Sequence, residues 1–233
     1  MKPLPIVLLV AAALAGATAG FLVFRDHPPP ALRVATPTVP GAAEPVGPVA
    51  AADASAPQPQ AIPASVPDLS LPDLEGHAFA LRSTDGHPRL FNFWATWCEP
   101  CRREIPLLNT LQQAHAAEGL HIVGIAVDFR DAVQAYSKVH PLRYTSLVGE
   151  EAGLDAAQKF GMDLLLPFSV FADGQNRIVA VKVGELHPDE AAAILDEMRR
   201  LEYGKTRLPD VQAAIASTLK QLSAARAIQS TGK

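Results

Sequence analysis

The only two cysteines of this 233-residue chain stand three apart, as Cys98-Glu99-Pro100-Cys101. Thiols at that spacing can cycle between dithiol and disulfide, exchange with another disulfide, or supply two soft ligands to a metal. The run before them, Leu90-Phe91-Asn92-Phe93-Trp94-Ala95, is short, aromatic and almost wholly apolar, the pattern of a central strand buried on both faces. Pro100 suits the first turn of a helix, where its missing N–H leaves nothing unsatisfied. The cysteines therefore fall where a buried strand ends and a helix begins. Free amide groups and the helix dipole favour negative charge there, so a thiol at that place loses its proton more readily. Cys98, at the exposed tip, is the expected nucleophile and Cys101, one turn in, the expected resolving thiol. A structural disulfide and half of a metal site are the competing readings. A Cys-x-x-Cys zinc site needs a second ligand pair, and the chain has no further Cys and seven His without paired ligand spacing.

The stretch Phe93-Trp94-Ala95-Thr96-Trp97-Cys98-Glu99-Pro100-Cys101-Arg102-Arg103-Glu104-Ile105-Pro106 resembles the active site of the membrane-anchored, thioredoxin-like disulfide reductases of the TlpA/ResA family. The resemblance extends over about residues 68 to 202. It implies an α/β thioredoxin-like fold, a central mixed sheet flanked by helices with an added N-terminal β-hairpin. It also implies a reducing role outside the cytoplasmic membrane, often in cytochrome c maturation. No cofactor beyond a redox-active Cys98–Cys101 disulfide is implied. The partners would be exported proteins carrying disulfides and a membrane thiol electron donor of the CcdA/DsbD kind.

Several neighbours of the cysteines bear on the chemistry, Glu99 by its position between them and Glu104, Asn92, Leu166 and Pro167 through the same resemblance. Trp97, Glu99 and Pro100 form the immediate environment. A charge on Glu99 opposes thiolate formation and should raise the cysteine pKa values, unless its exposure to solvent makes it inert. Glu104 follows Cys101 by three residues on roughly one helix face, where it could take a thiol proton; the alternative is a solvent-facing charge. Asn92 stands where ordinary thioredoxins carry a buried Asp used in proton transfer. Asn cannot ionise, which leaves Glu104 as the base. Pro167, in Leu165-Leu166-Pro167-Phe168, occupies the place of the family's cis proline, and Leu166 would offer its backbone to an extended substrate peptide. No metal ligands are assigned.

The elements that must position these residues follow along the chain. Residues 4 to 24 carry no charge, about the ~20 residues that cross a bilayer as a helix, and Lys2 precedes them. Residues 1–27 therefore read as a transmembrane anchor of a single-pass protein of the bacterial inner membrane, its catalytic part on the periplasmic side. Cleavage after Ala15-Gly16-Ala17 is the alternative. Residues 28–67, rich in Pro, Ala and Val, read as a disordered tether. The thioredoxin-like domain is expected over 68–203. It opens with a hairpin about Glu75-Gly76, followed by a strand at 89–95, a helix at 99–118 containing Pro106, and a strand at 121–127. A helix at 131–140, a strand at 145–148 and a helix at 152–160 come next. A hairpin about Asp173–Asn176 and a helix opening at Pro188, with Ala192, Leu195, Met198 and Leu201 on its apolar face, complete it. Residues 204–233 form a helical extension with net charge +4, its apolar face made of Val211, Ile215, Leu219 and Leu222. The whole chain carries −4, which argues against a nucleic-acid binder. Two other functions use the same cysteines, a thiol oxidant of DsbA type and a Cu(I) carrier; a third, a peroxidase related to thioredoxin, normally carries its reactive cysteine in a different motif.

Overall fold

The computed structural model describes residues 61–163 and 165–231. The anchor and most of the Pro/Ala-rich segment lie outside the described residues. A two-stranded antiparallel hairpin comes first, β1 (Ser70–Pro72) and β2 (Ala78–Ala80), turning at Gly76 with φ +96°. The main sheet contains β3 (Arg89–Trp94), β4 (His121–Ala126), β5 (Thr145–Val148), β6 (Phe168–Ala172) and β7 (Ile178–Val183), in the order β5-β4-β3-β6-β7. β5, β4 and β3 are parallel; β6 and β7 run antiparallel. The helices are α1 (Glu99–His115), α2 (Arg130–Val139), α3 (Glu150–Lys159), α4 (Pro188–Glu202) and α5 (Leu208–Thr231).

β3 is central, and all six of its residues are buried. Side chains alternate along a strand, and the alternation sorts the core into two faces. Phe91 and Phe93 join Val123, Ile125, Phe160, Phe168 and Val170 on one. Leu90 lies with Leu108, Ile122, Phe171, Ile194, Met198 and Val211 on the other, under α1, α4 and α5. Trp94, from the same side of β3 as Leu90, packs with Ala126, Val133, Val148 and the two cysteines.

Helix α1 begins at Cys98 as its N-cap and runs through Pro106 before a 3₁₀ turn (Ala116–Glu118) and Gly119 in the left-handed region stop it. The sequence places the start of the fold near Asp68, but hydrogen bonding begins earlier. The Ile178 amide donates to the Ala64 carbonyl and the Val66 amide to the Asn176 carbonyl, with Val66 buried in the core. Single bridges from Ser65 to Arg177 and from Asp73 to Leu147 thus meet both sides of the main sheet. On α4 the enclosed face is Ala191, Ile194, Leu195, Met198 and Leu201; Ala192, expected there, is exposed. Of the apolar face expected on α5, Val211 and Ile215 are buried and Leu219 packs on the same core, while Leu222 is half-buried.

Candidate active site

The site lies at the end of the sheet where β3 and β4 finish and β6 begins, the usual place for chemistry in α/β sheets. Cys98 and Cys101 are joined by a disulfide. The Cys101 amide donates to Cys98 Sγ at 3.3 Å, so the sulfur takes the place that a capping oxygen takes in other helices. Cys98, expected at an exposed tip, is only 6% exposed, and Cys101 is fully enclosed. The order of access is the expected one; the degree is less. Pro100 sits in the first turn.

Glu104 is 1% exposed, so it is no solvent-facing charge. Its Oε1 accepts from Asn92 Nδ2 at 2.7 Å and its Oε2 from the Leu186 amide at 2.6 Å. Burial pushes its carboxyl up to about 7, against the two hydrogen bonds, which favour the ionised form. Asn92 and Glu104 are therefore direct partners, where the sequence treats Asn92 only as the residue unable to do an acid's work.

Strand register explains how they meet. Asn92 pairs with Gly124 on β4 and with Ser169 on β6, and Ser169 pairs with Lys182 on β7. Partners across a sheet share a face, so Gly124, Asn92, Ser169 and Lys182 form a row across four strands. Asn92 Nδ2 donates to Ser169 Oγ at 3.1 Å. The absent side chain of Gly124 accommodates Tyr144 and Trp94; a Cβ there would lie 2.7 Å from the Tyr144 ring and 3.3 Å from Trp94 Nε1. Into this low row α1 lays its Glu104 face.

Other residues are placed as follows. Trp97 is 64% exposed. Glu99 is exposed and paired with Arg103 at 3.1 Å, and Arg103 also holds Glu185 at 2.6 Å. A charge shared in an exposed ion pair acts weakly on its neighbours, so Glu99 has less hold on the sulfurs than its position in the motif suggests. The Leu166–Pro167 bond is cis, and Leu166 packs against the cluster containing Trp94, Cys98 and Cys101. Among the described residues, no three His, Cys, Asp or Glu side chains gather so as to hold a metal ion.

Asp128 escapes the sequence reading. Buried at the end of β4, its Oδ2 accepts from the Thr96 amide at 2.8 Å and the Thr96 hydroxyl at 2.6 Å, and its Oδ1 accepts from the Phe129 amide. It ties the loop carrying the cysteines to the neighbouring strand. The signal for it is an acidic residue directly after an apolar strand. Phe129 and Leu165, both largely exposed, stand at this same end of the sheet with Trp97.

A model of the AhpC/TSA family matches residues 62–203, more than half of the chain. The chain belongs to this family. Among named relatives, a thiol-disulfide oxidoreductase ResA of Bacillus cereus is 26% identical over 133 residues, 57% of this chain and 75% of the relative. Thioredoxin-like protein YneN of Bacillus subtilis is 31% identical over 136 residues, 56% of this chain and 76% of the relative. A secreted thiol-disulfide isomerase from Corynebacterium glutamicum is a structural neighbour with TM-score 0.51 and 27% identity, over 56% of this chain and 81% of its own. A thiol-disulfide oxidoreductase from Bacteroides fragilis shares the fold at TM-score 0.51 and 24% identity, over 57% of this chain and 98% of its own. The family's architecture here is α/β and thioredoxin-like. The family match ends before α5 begins.

Proposed function

We propose that this chain is a thiol–disulfide oxidoreductase acting mainly as a reductant of disulfides in exported proteins. The observation that carries the reading is the Cys98–Cys101 pair capping α1, with Glu104 buried one turn further along the helix. The names of the relatives support the reaction class. In the dithiol form, the Cys98 thiolate is stabilised by the Cys101 amide and the helix start. It attacks one sulfur of a substrate disulfide, forming a mixed disulfide and releasing the other sulfur as a thiolate. Cys101 gives its proton to Glu104 and attacks Cys98 Sγ. The protein disulfide forms, and the substrate leaves with two electrons and two thiols once protonated.

A carboxylate ionised beside Cys101 disfavours a thiolate there, and a dithiol whose thiolates are poorly stabilised is the stronger reductant. Trp97, Phe129 and Leu165 give the substrate an apolar landing, and the backbone at Leu166, before Pro167, pairs with an extended peptide. Residues 4–24 anchor the domain to the outer face of the cytoplasmic membrane, where a membrane thiol carrier re-reduces it. Cytochrome c maturation is the setting the TlpA/ResA resemblance implies. The test is trapping. Cys98→Ala should abolish reduction of insulin disulfides, while Cys101→Ala should accumulate mixed disulfides on Cys98. Adducts on Cys101 in the Cys98→Ala chain, formed at the wild-type rate, would reverse the assignment.

A further inference from the structure

The extension α5 lies beyond the family match, yet its last turns reach back to the site through a chain of charges. Arg226 Nη1 holds both oxygens of Asp189 at 2.9 Å, and its Nη2 donates to Glu190 Oε1. Glu190, nearly enclosed at the start of α4, accepts from the His187 amide at 3.0 Å through its other oxygen and faces Lys182 Nζ at 3.6 Å. Lys182 Nζ in turn donates to the Val183 carbonyl at 2.9 Å and the Glu185 carbonyl at 3.0 Å. Between those contacts lies the loop that presents the Leu186 amide to Glu104. Lys182 also belongs to the row running through Ser169 to Asn92, the second partner of Glu104.

We propose that Arg226 is a positioning residue for Glu104, acting through Glu190, Lys182 and the 183–187 loop. The inference rests on the reading that Glu104 takes the proton of Cys101. A guanidinium can bind two carboxylates with fixed geometry, as here with Asp189 and Glu190. Without it, Glu190 retains Lys182 as its nearby cation. Lys182 is then drawn toward Glu190 and off the two carbonyls it braces, and the Leu186 amide loses its fixed place. The groups facing Glu104 set the direction of the result. Asn92 and the Leu186 amide favour its ionised form, as does the charge of Lys182. Glu185 opposes it, and Tyr144, from the segment before β5, is held neutral by burial. Loosening the loop weakens the favourable set, and the carboxyl becomes harder to ionise.

The experiment is the pH dependence, from pH 5 to 9, of disulfide exchange between the full-length reduced chain and a model peptide disulfide. Wild type, Arg226→Gln, Arg226→Lys, Glu104→Gln and the Glu104→Gln/Arg226→Gln pair are compared. The acidic limb of Arg226→Gln should move up by about half a unit, a roughly threefold loss of rate at pH 6.5 with little change at pH 9. A lysine cannot reproduce the two-carboxylate fork, so Arg226→Lys should shift by an intermediate amount, and it carries the test should Arg226→Gln not fold. Glu104→Gln should lack this limb, and adding Arg226→Gln to it should change nothing. Coincidence of the limb with wild type in every folded Arg226 variant, while Glu104→Gln lacks it, overturns the inference and leaves the reading of Glu104 intact. A wild-type limb in Glu104→Gln overturns the reading itself.

Discussion

Replacing Glu104 by Gln should make the oxidised protein more stable at neutral pH, by an amount that depends on pH in a defined way. The folded carboxyl titrates at about 7 and the unfolded one near 4.5. Below about pH 4.5 both states hold the proton and the group imposes no penalty. As pH rises past that value, the unfolded chain releases the proton while the folded chain keeps it, and wild type progressively loses stability until the folded group ionises near 7. The 2.5-unit difference corresponds to about 3 kcal/mol lost between roughly pH 4.5 and 7. Gln does not titrate, so the stability of Glu104→Gln minus that of wild type should grow by about 3 kcal/mol across the same window and be level outside it. The pH-independent part should be small. The introduced amide can accept from the Leu186 amide and donate to Asn92 Oδ1, which is buried and without a hydrogen-bond partner in the wild-type structure, while the Ser169 hydroxyl turns to donate. That exchange of roles is worth about 1 kcal/mol either way. Urea denaturation at pH 4, 5, 6, 7 and 8, with the disulfide intact, measures both chains. A difference that stays constant over this range would refute the argument that burial, opposed by two hydrogen bonds and the charge of Lys182, governs this carboxyl.

Asp128→Ala removes the acceptor for the Thr96 amide, the Thr96 hydroxyl and the Phe129 amide. It should lower stability by about 1–3 kcal/mol and slow disulfide exchange, read by denaturation and by insulin reduction; unchanged exchange would show that the loop carrying Cys98 needs no such tether. The uncharged segment 4–24 should keep the full-length chain in carbonate-washed membranes, and a soluble product beginning near Thr18 would show cleavage instead.

How much of this is legible in the sequence depends on how local each signal is. β3 and the start of α1 announce themselves, since an aromatic run followed by Cys-x-x-Cys and Pro100 fixes a strand, a turn and a helix within a dozen residues. β5 at Thr145–Val148 and the hairpin about Asp173–Asn176 follow from the same short-range patterns, and Asn176 does take a positive φ of 68°. Helical spacing places the Glu104 carboxylate on the cysteine side of α1, and a base there is expected to be partly buried; its complete enclosure is not readable, because a Glu after two arginines looks like a surface charge. Its partners are less visible still. Asn92, Gly124, Ser169 and Lys182 fall on four strands, and only the register brings them into one row. The Leu186 contribution is a backbone amide, which no side chain advertises. Arg89 shows the same limit. It begins a strand otherwise read as apolar, yet it is wholly enclosed, held by nearby Asp85 at 2.5 Å and by Asn176 Oδ1 at 2.9 Å, the second partner set by the hairpin far along the chain. The net charge of +4 on residues 204–233 reads as a solvated face; Arg226 instead closes on two acidic residues of α4.

The reduction potential of the Cys98–Cys101 couple, measured on the purified full-length chain against glutathione or dithiothreitol buffers at pH 7, tests the central claim most directly. A reductant of exported disulfides requires a value of roughly −220 mV or lower, toward that of thioredoxin, and each ~30 mV is worth about 1.4 kcal/mol in the equilibrium with substrate. A value near about −120 mV, that of a strong thiol oxidant, would contradict the assignment and reverse the direction of electron flow.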